Sequence, residues 1–259
     1  MKTLLTICVV IAFMLGVGSA LAGGTWTILD APGEGNGGCT GSGTYACDIN
    51  GSNIVGYYSD VHGYWHGFFY DNETASWTIL DIPSEIGRHT RPISISGNNI
   101  VGSYYSWTNG LQSFLYDGKI WTTLDILSPL RIDAFQYGID GSNIVGSYYD
   151  GYGLQNGFLY DINNKTWITL DIPGVPDMPH PPGAPIATHP CSIDGSNIVG
   201  SYYQSYFDQG FLYDGKTWTT LNMPEANNTY LRGIRGNNIV GVYRNTFTNN
   251  FCMFIRSKD

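Results

Sequence analysis

Aromatic and polar side chains recur together a few residues after each Ile-Val-Gly segment of this chain. They are Tyr64 and Trp65 near Asp60 and His62, Trp107 near Asn109, Tyr152 near Asp150, Tyr206 and Phe207 between Gln204 and Asp208, and Phe247 near Arg244 and Asn245. Aromatic faces stack on the C–H surfaces of sugars, while Asp, Asn and Gln bind hydroxyl groups. Trp65, Trp107, Tyr152, Tyr206, Phe247, Asp60, Asp150 and Asp208 are therefore the candidate ligand contacts. The competing reading is that the rings only cap the edges of sheets. The segments just before these units hold further charge, with Glu34 in the first, Glu85, Arg88, His89 and Arg91 in the second, Arg131 and Asp133 in the third, and Glu225 in the fifth.

Hydrolysis of a glycosidic bond needs two carboxylates flanking the bond. The chain has four glutamates, Glu34, Glu73, Glu85 and Glu225, and most of its aspartates are copies of one another. Asp48 and Asp133 fall on expected inner strands but form no evident pair. A single active site has no use for four copies of a residue, so no catalytic residue is assigned. Asp177, His180 and His189 are suitable metal ligands by type, but their irregular spacing in a Pro-rich stretch reads as solvated loop, and no metal is expected. There is no Gly-x-Ser-x-Gly elbow and no Gly-rich phosphate loop, and no cofactor is expected. Cys39 and Cys47 are close in sequence and form the candidate disulfide.

The elements that must position these residues are read from an internal repeat. One unit is Ile-x-Gly-x-Asn-Ile-Val-Gly-x-Tyr, a variable loop, Phe-Leu-Tyr-Asp, then Trp-Thr-x-Leu-Asp. Its Asn-Ile-Val-Gly element starts at Asn53, Asn99, Asn143, Asn197 and Asn238, and its Trp element at Trp26, Trp77, Trp121, Trp167 and Trp218. A period of about 41 to 54 residues suits a propeller blade. Each unit holds four short runs of strand character; in the third they are Phe135–Ile139, Asn143–Tyr149, Gly157–Tyr160 and Thr166–Asp171. Asp-Gly turns join the hairpins. The expected fold is all-β, a single five-bladed β-propeller of four-stranded blades over residues 23–259. The strand bearing Trp26 is expected to pair with the one near Phe251 and so close the last blade. The strand-two glycines are expected to let neighbouring sheets approach, and the repeated aspartates to accept hydrogen bonds from turn amides.

The pattern resembles the HAF-repeat family of exported bacterial proteins, whose units pair a Gly-x-Ile-Val-Gly strand with a His-Ala-Phe-Leu-Tyr strand. His66-Gly67-Phe68-Phe69-Tyr70, Ser113-Phe114-Leu115-Tyr116 and Gln209-Gly210-Phe211-Leu212-Tyr213 carry the second element. The family's usual His stands only at His66, and its usual Ala is Gly or Ser. The resemblance spans nearly all of residues 23–259 and implies export and a repeat-built β fold; it implies no defined activity.

Lys2, the apolar run from Leu4 to Val17 and Ser19-Ala20-Leu21-Ala22 read as a signal peptide cleaved after Ala22, which makes the mature protein secreted or periplasmic. The apolar run falls short of the roughly 20 residues needed to span a bilayer, so membrane insertion of the mature chain is not expected. The net charge is −9 over 259 residues, which repels phosphate backbones and argues against nucleic acid as a partner. The leading expectation is a non-catalytic, lectin-like exported protein that binds glycans or cell-surface polymers through the face carrying the variable loops. The alternatives are a carbohydrate-active enzyme on the same scaffold, or a structural or protein-docking scaffold.

Overall fold

In the computed structural model, residues 28–32, 43–124, 138–149, 155–173, 188–204, 206–248 and 250–257 are described. They form five antiparallel sheets in chain order, the blades of a five-bladed β-propeller. Blade 1 contains β1 (Thr44–Asn50), β2 (Asn53–Ser59), β3 (Trp65–Asp71) and β4 (Ser76–Ile79). Blade 2 contains β5 (Gly87–Ser96), β6 (Asn99–Ser106), β7 (Gly110–Tyr116) and β8 (Trp121–Thr123). Blade 3 contains β9 (Gly138–Asp140), β10 (Asn143–Tyr149), β11 (Gln155–Asp161) and β12 (Thr166–Leu170). Blade 4 contains β13 (Thr188–Asp194), β14 (Asn197–Gln204), β15 (Phe207–Tyr213) and β16 (Trp218–Thr220). Blade 5 contains β17 (Ala226–Arg235), β18 (Asn238–Asn245) and β19 (Phe251–Ser257), three strands among the described residues. The segment bearing Trp26, expected as the fourth strand, lies outside the described residues, as do the leader, Cys39, Asp150, Tyr152, Asp177 and His180.

The Ile-Val pair of the repeat is apolar on consecutive positions because the second strand of blades 1 to 4 is covered on both faces. Val55, Val101, Val145 and Val199 are fully buried, and each packs into the core of the following blade. Val55, for example, meets Leu80, Ile95, Ile100 and Phe114. The repeated tryptophans pack on the rings of their own third strand. Trp77, Trp121, Trp167 and Trp218 lie 4.9–5.1 Å from Phe68, Phe114, Phe158 and Phe211. Those four phenylalanines are the largest fully buried side chains, and truncating one to Ala would cost about 3–5 kcal/mol.

The glycines divide into two sets. On the third strand, a Cβ at Gly67 would meet Pro92 of blade 2 at 2.8 Å, and one at Gly157 would meet Pro190 of blade 4 at 2.9 Å, so here the missing side chain does admit the neighbouring sheet. On the second strand the reason is internal to the blade. A Cβ at Gly102 would meet Arg91 O at 2.1 Å and the Phe114 ring at 2.8 Å, and Gly56 and Gly200 are crowded in the same way. The inner strand bulges opposite each of these glycines, at Ala46/Asp48, Pro92/Ser94 and Pro190/Ser192, and again at Leu231/Gly233 opposite Gly241. The inserted residues, Cys47, Ile93, Cys191 and Arg232, all line a central cavity of about 600 Å³ shared by the inner strands of the five blades.

Adjacent blades are also tied at the short-turn face. Asn50, Ser96, Asp140 and Asp194 each accept a hydrogen bond from the turn-glycine N–H of the next blade, Gly97, Gly141, Gly195 and Gly236. These turn glycines have φ of 55–59°, a region that glycine enters without steric cost.

Candidate functional site

The variable loops and the links between blades share the opposite face. Its most elaborated part is the cleft between blades 1 and 2. Tyr64 and Trp65 come from the β2–β3 loop and the start of β3. Arg88, His89 and Arg91 come from the start of β5, and Tyr105 and Trp107 from the end of β6 and the loop after it. The register of β5 shifts between Arg88 and Arg91, and His89 sits at φ 57°, a left-handed conformation that is costly for a residue with a Cβ. That bulge turns the imidazole across the cleft, where Nδ1 accepts a hydrogen bond from the Trp65 backbone N–H at 3.1 Å. Tyr64 stacks on the same ring with centroids 5.4 Å apart.

Each guanidinium lies over aromatic faces. Arg88 Cζ is 5.0 Å from the Trp107 centroid, 5.7 Å from Tyr105 and 5.8 Å from Tyr64. Arg91 Cζ is 4.7 Å from Trp65 and 5.6 Å from Tyr57. Tyr45 stacks on Tyr57 at 5.2 Å and extends the aromatic surface onto the inner strand of blade 1. Trp107 is 55 % exposed, yet its indole N–H donates to Ser84 O at 2.8 Å, so the ring is held rather than free. Burial, followed by the charges of Arg88 and Arg91, lowers the His89 pKa, which keeps the imidazole neutral near pH 7.

Beside this cleft lies a carboxylate–imidazole–carboxylate group. His66 Nδ1 bonds Asp81 at 2.6 Å, and Nε2 is 3.5 Å from Asp60. Burial disfavours the imidazolium, but the bonds and charges of Asp81 and Asp60 outweigh it and raise the His66 pKa. Asp60 is also committed to its own loop, accepting from the His62 and Tyr64 N–H groups. Asp81 accepts from the Gly67 N–H on β3. The Leu-Asp aspartate thus ties two strands instead of a turn; Asn222 Oδ1 does the same with the Gly210 N–H in blade 4. The Tyr-Asp residues do bind turn amides, as at Asp71, Asp117, Asp161 and Asp214.

The remaining described candidates scatter. Tyr206 is 77 % exposed on blade 4, and Phe247 is 87 % exposed on blade 5. Asp208 accepts from the Tyr230 hydroxyl at 2.7 Å across the blade 4–blade 5 cleft. Tyr152 and Asp150 lie outside the described residues. Corresponding positions therefore differ in chemistry: Trp65 and Arg91 of one cleft stand where Asp208 and Tyr230 stand in the other. The five near-equivalent aromatic grooves that a repetitive lectin would show are not what the described residues form.

Among the described residues, the carboxylates set out for an enzyme do not assemble either. Glu85 is on the link between blades 1 and 2, Glu225 on that between blades 4 and 5, and Glu34 and Asp133 lie outside the described residues. Asp48 lines the central cavity, but its carboxylate is taken by the Ser94 hydroxyl at 2.6 Å and the Ile95 N–H at 2.9 Å. Among the described residues no group of three or more His, Cys, Asp or Glu side chains is placed to hold a metal. Cys47, Cys191 and Cys252 form no disulfide with one another, Cys191 Sγ donates to His189 O at 3.4 Å, and Cys39, the expected partner of Cys47, lies outside the described residues. No described helix is long and apolar enough to cross a membrane.

No family model matches the chain, and no curated protein does. Solved structures similar in shape include the fucose-recognising fungal lectin of Aleuria aurantia, a six-bladed β-propeller. It is 15 % identical, with a TM-score of 0.49, over 82 % of this chain and 72 % of that one. The β-propeller domain of the Trilobed protease from Pyrococcus furiosus is 8 % identical, with a TM-score of 0.49, over 83 % of this chain and 82 % of that one. The SapL1 lectin, solved with α-methyl fucoside, is 12 % identical, with a TM-score of 0.44, over 84 % and 81 %. At these identities and scores, no ligand passes from those proteins to this chain.

Proposed function

We propose that this is a non-catalytic, exported carbohydrate-binding protein whose site is the blade 1–blade 2 cleft. The observation that carries the reading is the run of Tyr64, Trp65, Tyr105 and Trp107 around Arg88 and Arg91, part exposed and held in place by hydrogen bonds and stacking. Flat rings beside fixed donors match the alternating C–H faces and hydroxyl edges of a sugar. The leader ending at Ala22 would deliver the protein to the periplasm or the medium, where such polymers are met.

A glycan array probed with the mature protein tests the reading. Binding is expected on a restricted set of glycans. Trp107→Ala should lower it by about ten-fold or more while leaving thermal stability within about 0.5 kcal/mol, since an exposed ring contributes little to the core. Tyr206→Ala, on blade 4, should leave the same profile unchanged. A blank array, or an unchanged profile for a folded Trp107→Ala variant, would overturn the reading.

A further inference from the structure

The geometry points to an acidic sugar as the ligand of this cleft, its carboxylate or sulfate ester held by Arg88 and Arg91. The inference rests on the carbohydrate reading above and adds the charge class. The ion pairs among the described residues involve His66 and Arg235, so neither cleft arginine has a described carboxylate within 4.0 Å. Stacking occupies the flat face of a guanidinium and leaves its N–H groups, which lie in the plane, free to donate. Arg91 Nε, in the cleft wall, is buried with no acceptor among the described residues, as is Arg244 Nε on blade 5.

The neighbouring groups sharpen the point. His89 spends Nδ1 on the Trp65 N–H, which leaves the ring proton of the neutral imidazole on Nε2 as a third donor. Asp60, the acid whose charge reaches His89, is already bonded to two backbone N–H groups and faces His66. Donors therefore outnumber acceptors here, in a chain whose net charge is −9. A cleft of uncompensated positive charge with apolar walls concentrates anions. In the blade 4–blade 5 cleft, the acid Asp208 and Tyr230 satisfy each other. Arg232 lies 5.4 Å from the Tyr230 ring there, so that cleft pairs its cation with an acid, and among the described residues the blade 1–blade 2 cleft is the one that sets two arginines among aromatic rings without a carboxylate.

The test is calorimetric titration of the full mature protein with three probes: a galacturonate oligomer, the same oligomer methyl-esterified, and a sulfated galactan oligosaccharide. Expected is a stoichiometry of one, with at least one acidic probe bound about ten-fold or more tighter than the ester, and affinity falling as salt is added. Tight binding of the galacturonate assigns a carboxylate, and of the galactan a sulfate; either outcome supports the inference. Arg88→Gln should abolish the preference for acid. Its exposed side chain makes it the safe variant if Arg91→Gln fails to fold. Equal affinity for acid and ester, unchanged in Arg88→Gln, would overturn the acidic ligand while leaving the carbohydrate reading standing. Binding of none of the probes, together with a blank glycan array, would remove both.

Discussion

His66 stands where the other blades carry Gln112, Asn156, Gln209 and Cys252. In blade 4 the same position is filled by neutral chemistry, with the Asn222 amide donating to Gln209 Oε1. In blade 1 the pair is His66 and Asp81, so this tie between β3 and the residues after β4 titrates. Because the folded pKa of His66 is raised, its contribution is fully present below the unfolded value of about 6.5 and is lost as pH rises through the folded value. His89 acts in the opposite sense: its pKa is lowered, so its contribution is lost as pH falls below the same unfolded value. His66→Gln separates the two. The variant should be less stable than wild type at pH 5.5, and the difference should shrink by pH 8. Thermal unfolding at both pH values checks this; a difference independent of pH would show that His66 is not bonded as an imidazolium.

At the scale of the element, the blade is built around a glycine, a bulge and a phenylalanine. In blade 2 these are Gly102, the Pro92/Ser94 bulge and Phe114. The bulge brings a carbonyl over the glycine, and the phenylalanine ring fills the rest of the space. A methyl group there meets backbone and a fully buried ring, neither of which can move cheaply. Gly102→Ala is therefore expected to destabilise the protein by about 3 kcal/mol or more, read as a lower urea midpoint at unchanged slope. Gly97→Ala, in open space at a turn, should cost less, on the order of 1 kcal/mol, from its positive φ alone. A Gly102→Ala variant as stable as Gly97→Ala would contradict this account of the bulge.

At the scale of the whole molecule, the ring is tied blade to blade until the last. Where Asn50, Ser96, Asp140 and Asp194 accept from the next turn, blade 5 carries Arg235, a side chain that can only donate and turns back toward Asp194 at 3.3 Å. Val240 is 45 % exposed where its four counterparts are fully buried, and Ile255 is 70 % exposed where Leu115 and Leu212 are buried. The outer edge of β19 is thus an apolar strand edge, which proteins normally cover. The segment bearing Trp26 is expected to cover it, its ring over Phe254 as Trp77 lies over Phe68. Trp26→Ala should lower the melting temperature and speed amide exchange in residues 251–257 before any other strand. Unchanged exchange there would mean that another segment, or none, closes the blade.

The five-fold repeat and its four-stranded units were legible in the amino-acid sequence, because short strand-forming runs, turn glycines and repeated aromatics are local signals. The cleft was legible only in pieces. Trp65 and Trp107 stood out as aromatics after a strand, and Arg88, His89 and Arg91 as charges on a link, but nothing in the order of residues joined them. Tyr64 and Arg88 are 24 positions apart and become neighbours only because blade 2 packs on blade 1. Likewise the β5 bulge, which sets His89 at positive φ and swings it to Trp65, depends on pairing with β6. Tertiary structure also decided which apparent equivalents are equivalent. Repeated positions share a backbone, but each side chain faces the next blade, whose residues differ. One cleft therefore holds unpaired cations among aromatic rings, and another holds a carboxylate bonded to a tyrosine.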